Sequence, residues 1–312
     1  MASILRKIYD TLIESGNEFI DDHATKLSAS LAYYTIFSIG PLLVVIITVL
    51  GVIYKKSYVT TEVFDQLGAI IGTSGASELQ NILKNISLQN HSTLFGVVGA
   101  LILVFSATGI FTEIQSSINY MWSIKAKPKR SWLKYITDRL LSFLLVLGLG
   151  LLMLVALALN VLIDLLSGRL QHFLGDANIV LLKGANMGLL FLVVTILFWV
   201  IFKVLPDAKI HWRDALIGAM FTAVLFIAGK FLITYYLNMS KSITAYGAAA
   251  SIILLLSWVY YSSIILYFGA EFTEVYAKKW GKGITVTNGA VHIIKNEVQH
   301  LPISILPVED QD

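Results

Sequence analysis

The chain contains no cysteine, which excludes disulfides, thiolate metal sites and a cysteine nucleophile. Charge is also scarce. Asp, Glu, Lys and Arg together make up 14%, against about 25% in an average soluble protein. The six histidines (His23, His91, His172, His211, His292, His300) are scattered, with no HExxH or HxH spacing for zinc. No phosphate-binding glycine loop, Gly-x-Ser-x-Gly elbow or dinucleotide fingerprint is present, so neither a cofactor nor a catalytic residue is implied. The formal charge of +3 is too small to point to nucleic acid.

What is there instead is apolar. Hydrophobic residues make up 56% and gather into six runs, at 31–54, 94–111, 140–163, 187–202, 215–233 and 247–268. A helix needs about 20 residues to cross a hydrocarbon core of ~30 Å. The fourth run reaches that length when extended to 184–203. Outer-membrane strands would instead alternate apolar and polar residues over about 10 positions. The expected fold class is therefore all-α, a polytopic membrane bundle of six transmembrane helices with short amphipathic interfacial helices. The first 25 residues carry Glu14, Glu18, Asp21 and Asp22 and no apolar core of a signal peptide, so the first span is expected to direct insertion.

Basic residues divide unevenly between the two sets of loops. Sixteen fall in the N-terminal segment, the second-to-third and fourth-to-fifth connections and the tail, and six fall in the opposite set. The positive-inside bias places both termini in the cytoplasm, as an even number of spans requires. Residues 4–20 carry Ile4, Leu5, Ile8, Tyr9, Leu12, Ile13, Phe19 and Ile20 at helical spacing and are expected to pack beneath the bundle. In the long external connection, Ser77-Glu78-Leu79-Gln80 resembles a capping box opening a helix through Ile86, and a shorter helix is expected over 62–71. Asn288-Gly289, flanked by β-branched residues, is a hairpin signal in the tail. The expected organisation is a cytoplasmic amphipathic segment (1–25), a membrane domain (26–280), and a tail (281–312) holding a short hairpin followed by disorder.

Several polar residues fall in or beside the spans. Gly40-Pro41 predicts a bend or break near Ser38, because proline removes a helical donor and clashes with the preceding turn. Lys26, Ser30 and Tyr34 extend a polar face below it. Ser106, Gly109, Glu113, Ser116 and Tyr120 share one face of the second span. Glu113 either faces protein or water within the bundle, or lies low enough to reach the cytoplasmic headgroups; Lys26, Arg139 and Arg213 are its expected partners. Lys230 either snorkels to the outer interface or meets Asp164 or an external ligand. Glu271 and Glu274, beyond the sixth span, form a charge cluster with Lys278 and Lys279. Trp122, Trp132, Trp212 and Trp280 fall where interfacial anchors belong, whereas Trp199 and Trp258 lie deeper and need hydrogen-bond partners. Tyr34, Ser38, Glu113 and Asn119 are expected to line a polar cavity between spans one, two and six. Lys26, Pro41, Lys230, Tyr246 and Glu271 complete the candidate transport residues.

Three stretches together carry a resemblance: Lys26-Leu-Ser-Ala-Ser-Leu-Ala-Tyr-Tyr-Thr-Ile-Phe-Ser-Ile-Gly-Pro-Leu-Leu43, Phe105-Ser-Ala-Thr-Gly-Ile-Phe-Thr-Glu-Ile-Gln-Ser-Ser-Ile-Asn-Tyr-Met-Trp122, and Tyr246-Gly-Ala through Phe268-Gly-Ala-Glu271. Lys203-Val-Leu-Pro-Asp207, before Trp212 and Gly218, fits the same pattern. Over roughly residues 20–280 the chain resembles the YihY/BrkB family of bacterial inner-membrane proteins. The resemblance implies six spans, a multi-pass plasma-membrane location and a loose association with virulence. Members have carried a ribonuclease label, but the clustered His and Asp ligands of a metal-dependent nuclease are missing from this sequence. Two function classes stay open. One is a non-enzymatic transporter that moves or handles a small solute, ion or lipid, with membrane lipids as partners. The other is an envelope structural or interaction protein without a permeation path.

Overall fold

The computed structural model describes residues 2–51, parts of 57–80, 105–127, 131–174, 177–239, 250–287 and 289–295. It is mostly helical. Among the described residues the longer helices are α1 (Ala2–Asp21), α2 (Ala24–Leu50), α3 (Gly109–Met121), α4 (Ser131–Leu174), α5 (Ala177–Val204), α6 (Trp212–Met239) and α7 (Ala250–Lys279). Four three-residue strands accompany them: β1 (Ile124–Ala126), β2 (Ala208–Ile210), β3 (Ile284–Val286) and β4 (Ala290–His292). Among the described residues, four stretches are long and apolar enough to cross a membrane: Ala24–Thr48, Trp132–Leu152, Gly184–Val204 and Trp212–Leu232. The second expected run lies largely outside the described residues, as do most of the helices expected at 62–71 and 77–86. Positions 57, 59–61, 63–65, 76–77 and 80 are helical.

α2 runs through Pro41 as one continuous helix, so the expected break does not occur. Ser38 is buried against Gly109 of α3, where an added Cβ would stand 2.9 Å from the Ser38 Oγ. This contact holds α2 beside its neighbour next to the proline. Ser28 and Thr35 donate to the carbonyls of Ala24 and Leu31 within α2, so their buried hydroxyls are satisfied locally.

α6 and α7 approach each other through reciprocal glycine contacts. A Cβ at Gly218 would lie 1.9 Å from the Thr273 hydroxyl, and one at Gly269 would lie 2.0 Å from the Thr222 hydroxyl. Small residues let membrane helices pack closely where lipid supplies no hydrophobic drive. The main core gathers Phe111, Ile118, Trp122, Phe198, Phe202 and Tyr267 from α3, α5 and α7. A second cluster joins Leu43, Ile46 and Ile47 of α2 to Val59, Val63 and Phe64 and to Trp258 of α7.

α1 packs beneath the bundle against α7, as expected, with Phe19 of its apolar stripe set against the core and Ile4, Leu5 and Ile8 outside the residues whose side chains are described. Its buried positions are Thr11 and Ser15, while Tyr9 (63% exposed) and Ile20 (70%) face outward. The two hydroxyls are buried because each donates to its own helix four residues back. Thr11 also accepts from Trp280 Nε1 at 3.1 Å, and Phe19 meets the edge of Phe268.

Among the described residues, the two tail strands do not pair with each other. The chain turns at 287–290, with Ala290 N–H donating to Thr287 O, but β3 pairs antiparallel with β2 and β4 with β1. A lone two-stranded hairpin is marginal in water, and pairing with two loop strands gives each tail strand a partner already held by helices. Residues up to 295 are thereby fastened to the α3–α4 and α5–α6 connections. Gly218→Val is expected to destabilise the fold by about 1–3 kcal/mol through overpacking at α6–α7, visible as a lower unfolding temperature in detergent. An unchanged temperature would contradict this packing.

Candidate functional site

The loops at one end of the bundle meet at Asp207. Pro206 cannot prolong α5, so the chain leaves the helix after Val204 and presents the aspartate before β2. Its carboxylate accepts a short charge-assisted bond from Lys134 of α4 and a 3.0 Å bond from Asn119 Nδ2 of α3. Asn119 Oδ1 accepts from the Asp207 N–H at 2.8 Å, so the two residues clasp each other reciprocally. The Thr287 N–H and hydroxyl both donate to the Asp207 carbonyl, at 3.1 and 3.0 Å. Lys134 also bonds Asp138, one turn along α4, at 2.7 Å.

Beside this node opens a cleft of ≈ 520 Å³ whose lining mixes polar side chains with Ile124, Ala126 and Ile293. One wall is the α3 face made by Thr112, Gln115, Ser116, Asn119 and Tyr120. Facing it are Lys125 of β1 and the carboxylates of Asp138 and Asp207. With Lys134 placed between those carboxylates, the charges nearly balance, which suits a polar or zwitterionic guest better than a highly charged one.

Asn119 is thus the one residue of the expected cavity set that lines this cleft, joined by Ser116 and Tyr120 from the same helix face. Glu113 turns the other way: Ser30 of α2 donates to its Oε1 at 2.5 Å. It forms no ion pair with Lys26, Arg139 or Arg213. Wholly buried Tyr267 of α7 lies within its electrostatic reach. Lys26 is exposed near the start of α2, and Tyr34 is exposed beside Tyr33. Ser38 and Pro41 belong to the α2–α3 packing described above, and neither lines the cleft. Lys230 is half-buried and makes no ion pair among the described residues; the side chain of Asp164 lies outside them, as does Tyr246.

Glu271 lies at the end of α7 in a second acidic cluster. It is fully buried, and neither carboxylate oxygen has a hydrogen-bond partner. Glu274 beside it bonds Lys278 at 2.7 Å, and Lys295 of the tail bonds Asp22 at 2.6 Å. Burial, reinforced by Glu274, Asp22 and Glu18, pushes the Glu271 carboxyl up to about 9, with Lys295 opposing. Burial also raises Glu274, against the pull of Lys278. No group of three or more metal-ligating side chains occurs among the described residues.

Trp122, expected as an interfacial anchor, is 1% exposed and donates to the Ala270 carbonyl at 3.1 Å, tying α3 to α7. Trp132, Trp212 and Trp280 are exposed, and Trp199 finds its partner in the Trp212 carbonyl. Sequence reasoning missed the Lys134–Asp207 contact, which spans 73 positions, and the Lys295–Asp22 contact, which spans 273. Only the i,i+4 spacing of Lys134 and Asp138 was a local signal.

Glu271 has a pH consequence. Its folded-state affinity for protons exceeds the ordinary carboxyl value of 4.5, so the folded chain holds a proton that the unfolded chain releases. That contribution is full below the ordinary value and is lost as pH rises through about 9. Glu271→Gln is expected to flatten the fall of unfolding temperature between neutral and alkaline pH. Equal slopes for both proteins would refute the assignment.

The comparisons agree with the membrane character of this arrangement. The family described as Virulence factor BrkB matches residues 16–291. A UPF0761 membrane protein of Pseudomonas paraeruginosa is 31% identical over 269 residues, covering 82% of this chain and 60% of the relative. One from Tolumonas auensis is 30% identical over 266 residues, covering 81% of this chain and 80% of the relative. The chain therefore spans about three fifths of the Pseudomonas relative's length. No solved structure matches it. The chain belongs to the BrkB virulence-factor family of membrane proteins.

Proposed function

We propose that this is a six-span, non-enzymatic protein of the bacterial inner membrane that moves or handles a small polar solute, an ion or a lipid. The cleft beside Asp207 is its binding site. The observation carrying this reading is the ≈ 520 Å³ space lined by the polar face of α3 and two carboxylates. A helix face facing lipid would have no reason to keep five polar side chains in register over Thr112–Tyr120. Both termini are assigned to the cytoplasm. In support, α1, the α3–α4 and α5–α6 connections and the tail gather at one end, and these are the segments that carry the basic excess.

A second reading, an envelope scaffold without a permeation path, draws on a different observation. Glu113–Ser30, Asp207–Asn119–Lys134 and Asp22–Lys295 are all spent in pairwise contacts. Proteoliposomes separate the two readings. With orientation determined through a cysteine placed at Lys127, a panel of ions, zwitterionic solutes and labelled lipids is tested for flux. The transport reading expects flux of at least one probe and its loss on Ser116→Leu, which fills the cleft without touching the Asp207 clasp. No flux of any probe, with the protein folded, would favour the scaffold.

A further inference from the structure

Ile293 of the tail lines the cleft beside Ile124 and Ala126 of β1, the strand that β4 pairs with. One side of the cleft therefore belongs to the tail and its strand partner, not to the helical bundle.

This part of the tail is gripped at both ends and lightly held between them. At its start, Thr287 bonds the Asp207 carbonyl twice. At its end, the Lys295 ammonium donates to both oxygens of buried Asp22, at 2.6 and 2.7 Å, and to the Met121 carbonyl at 3.2 Å. It also stands 4.4 Å from the ring centre of Tyr120, itself a cleft-lining side chain. Between these points β4 has a strand neighbour on one side only, and of residues 290–295 only Ala290 is buried. Ile294 is 84% exposed. A segment with one strand partner and few buried side chains opens locally at lower cost than the core. Gly289, at φ +95°, offers a pivot just after the Thr287 anchor, in a conformation that other residues resist.

We propose that residues 289–295 form a detachable strap that closes one side of the cleft, pivoting at Gly289 and latched by Lys295 on Asp22. Its role as a gate rests on the reading of this cleft as the binding site; the strap itself does not. Latched, Ile293 completes the wall and Lys295 stands over the Tyr120 ring. Released, both move away and uncover Ile124 and Ala126, while the Asp207 clasp stays in place.

Hydrogen exchange on the purified full-length chain in detergent, resolved by peptide mass spectrometry, tests the strap. The reporters are the N–H groups of Ile293 and Lys127, which donate to the carbonyls of Ser123 and Gly289. Lys295→Met is expected to speed exchange at 123–127 and 289–295 about tenfold, the equilibrium equivalent of one charge-assisted hydrogen bond. Exchange at 205–210, around Asp207, should not change. A disulfide between cysteines placed at Ala126 and Ala290, register partners in β1 and β4, should reverse the acceleration. Unchanged exchange in Lys295→Met, or a rise spread over the whole chain, would overturn the strap. Should that variant not fold with Asp22 stranded, Asp22→Asn/Lys295→Met removes both charges and is judged by the same criteria. In proteoliposomes, flux that rises in Lys295→Met and falls with the disulfide supports the gate. Flux indifferent to both changes overturns the gate and leaves the transport reading standing. No flux in any form overturns the transport reading and the gate together, and the exchange result then decides the strap alone.

Discussion

The carboxylate of Asp207 is the constraint on which one end of this molecule depends. It ties α3 through Asn119, α4 through Lys134, and the tail through Thr287, which grips its carbonyl. The alternative for a partly buried aspartate is an unpaired charge, which costs stability unless water or another donor replaces the lost partner. The strands β1–β4 and β2–β3 then fasten the same connections a second time through backbone bonds. The cleft lies beside this clasp, with Ser116 and Tyr120 of α3 in its wall.

Elsewhere the fold relies on close contact rather than charge. Gly218 and Gly269 admit Thr273 and Thr222, Gly109 admits Ser38, and Trp122 reaches across to Ala270. These contacts need small residues at particular heights, and they leave the few charges of the chain free to collect at the end where the loops meet. The buried Glu271 is the exception, close to that end yet without a partner for either oxygen.

The apolar runs made the helical membrane class readable before any coordinate, since composition alone excludes a soluble core of this length. α1 was legible to within two residues of each end, because its period is local. Which of its faces is buried was not legible, because burial of Thr11 and Ser15 depends on α7, far along the chain. Pro41 is accommodated within a continuous α2, and the packing of Ser38 on Gly109 beside it is a property of two helices that no local pattern displays. The polar face of α3 was visible from its spacing, but the division of that face was not. Glu113 goes to Ser30 and Asn119 to Asp207, which is a matter of helix rotation set by neighbours. Ala290 N–H closes back on the Thr287 carbonyl, yet the partners of the strands on either side lie about 80 and 170 positions upstream, beyond any local hairpin rule.

Asp207 and Lys134 are energetically coupled across α4 and the α5–α6 connection. A double-mutant cycle with Lys134→Met, Asp207→Asn and the combined variant, read by unfolding in detergent, measures that coupling. An interaction energy above about 1 kcal/mol is expected, whereas independent sites add to within about 0.5 kcal/mol. Additive losses would show that the clasp does not hold this end of the bundle together.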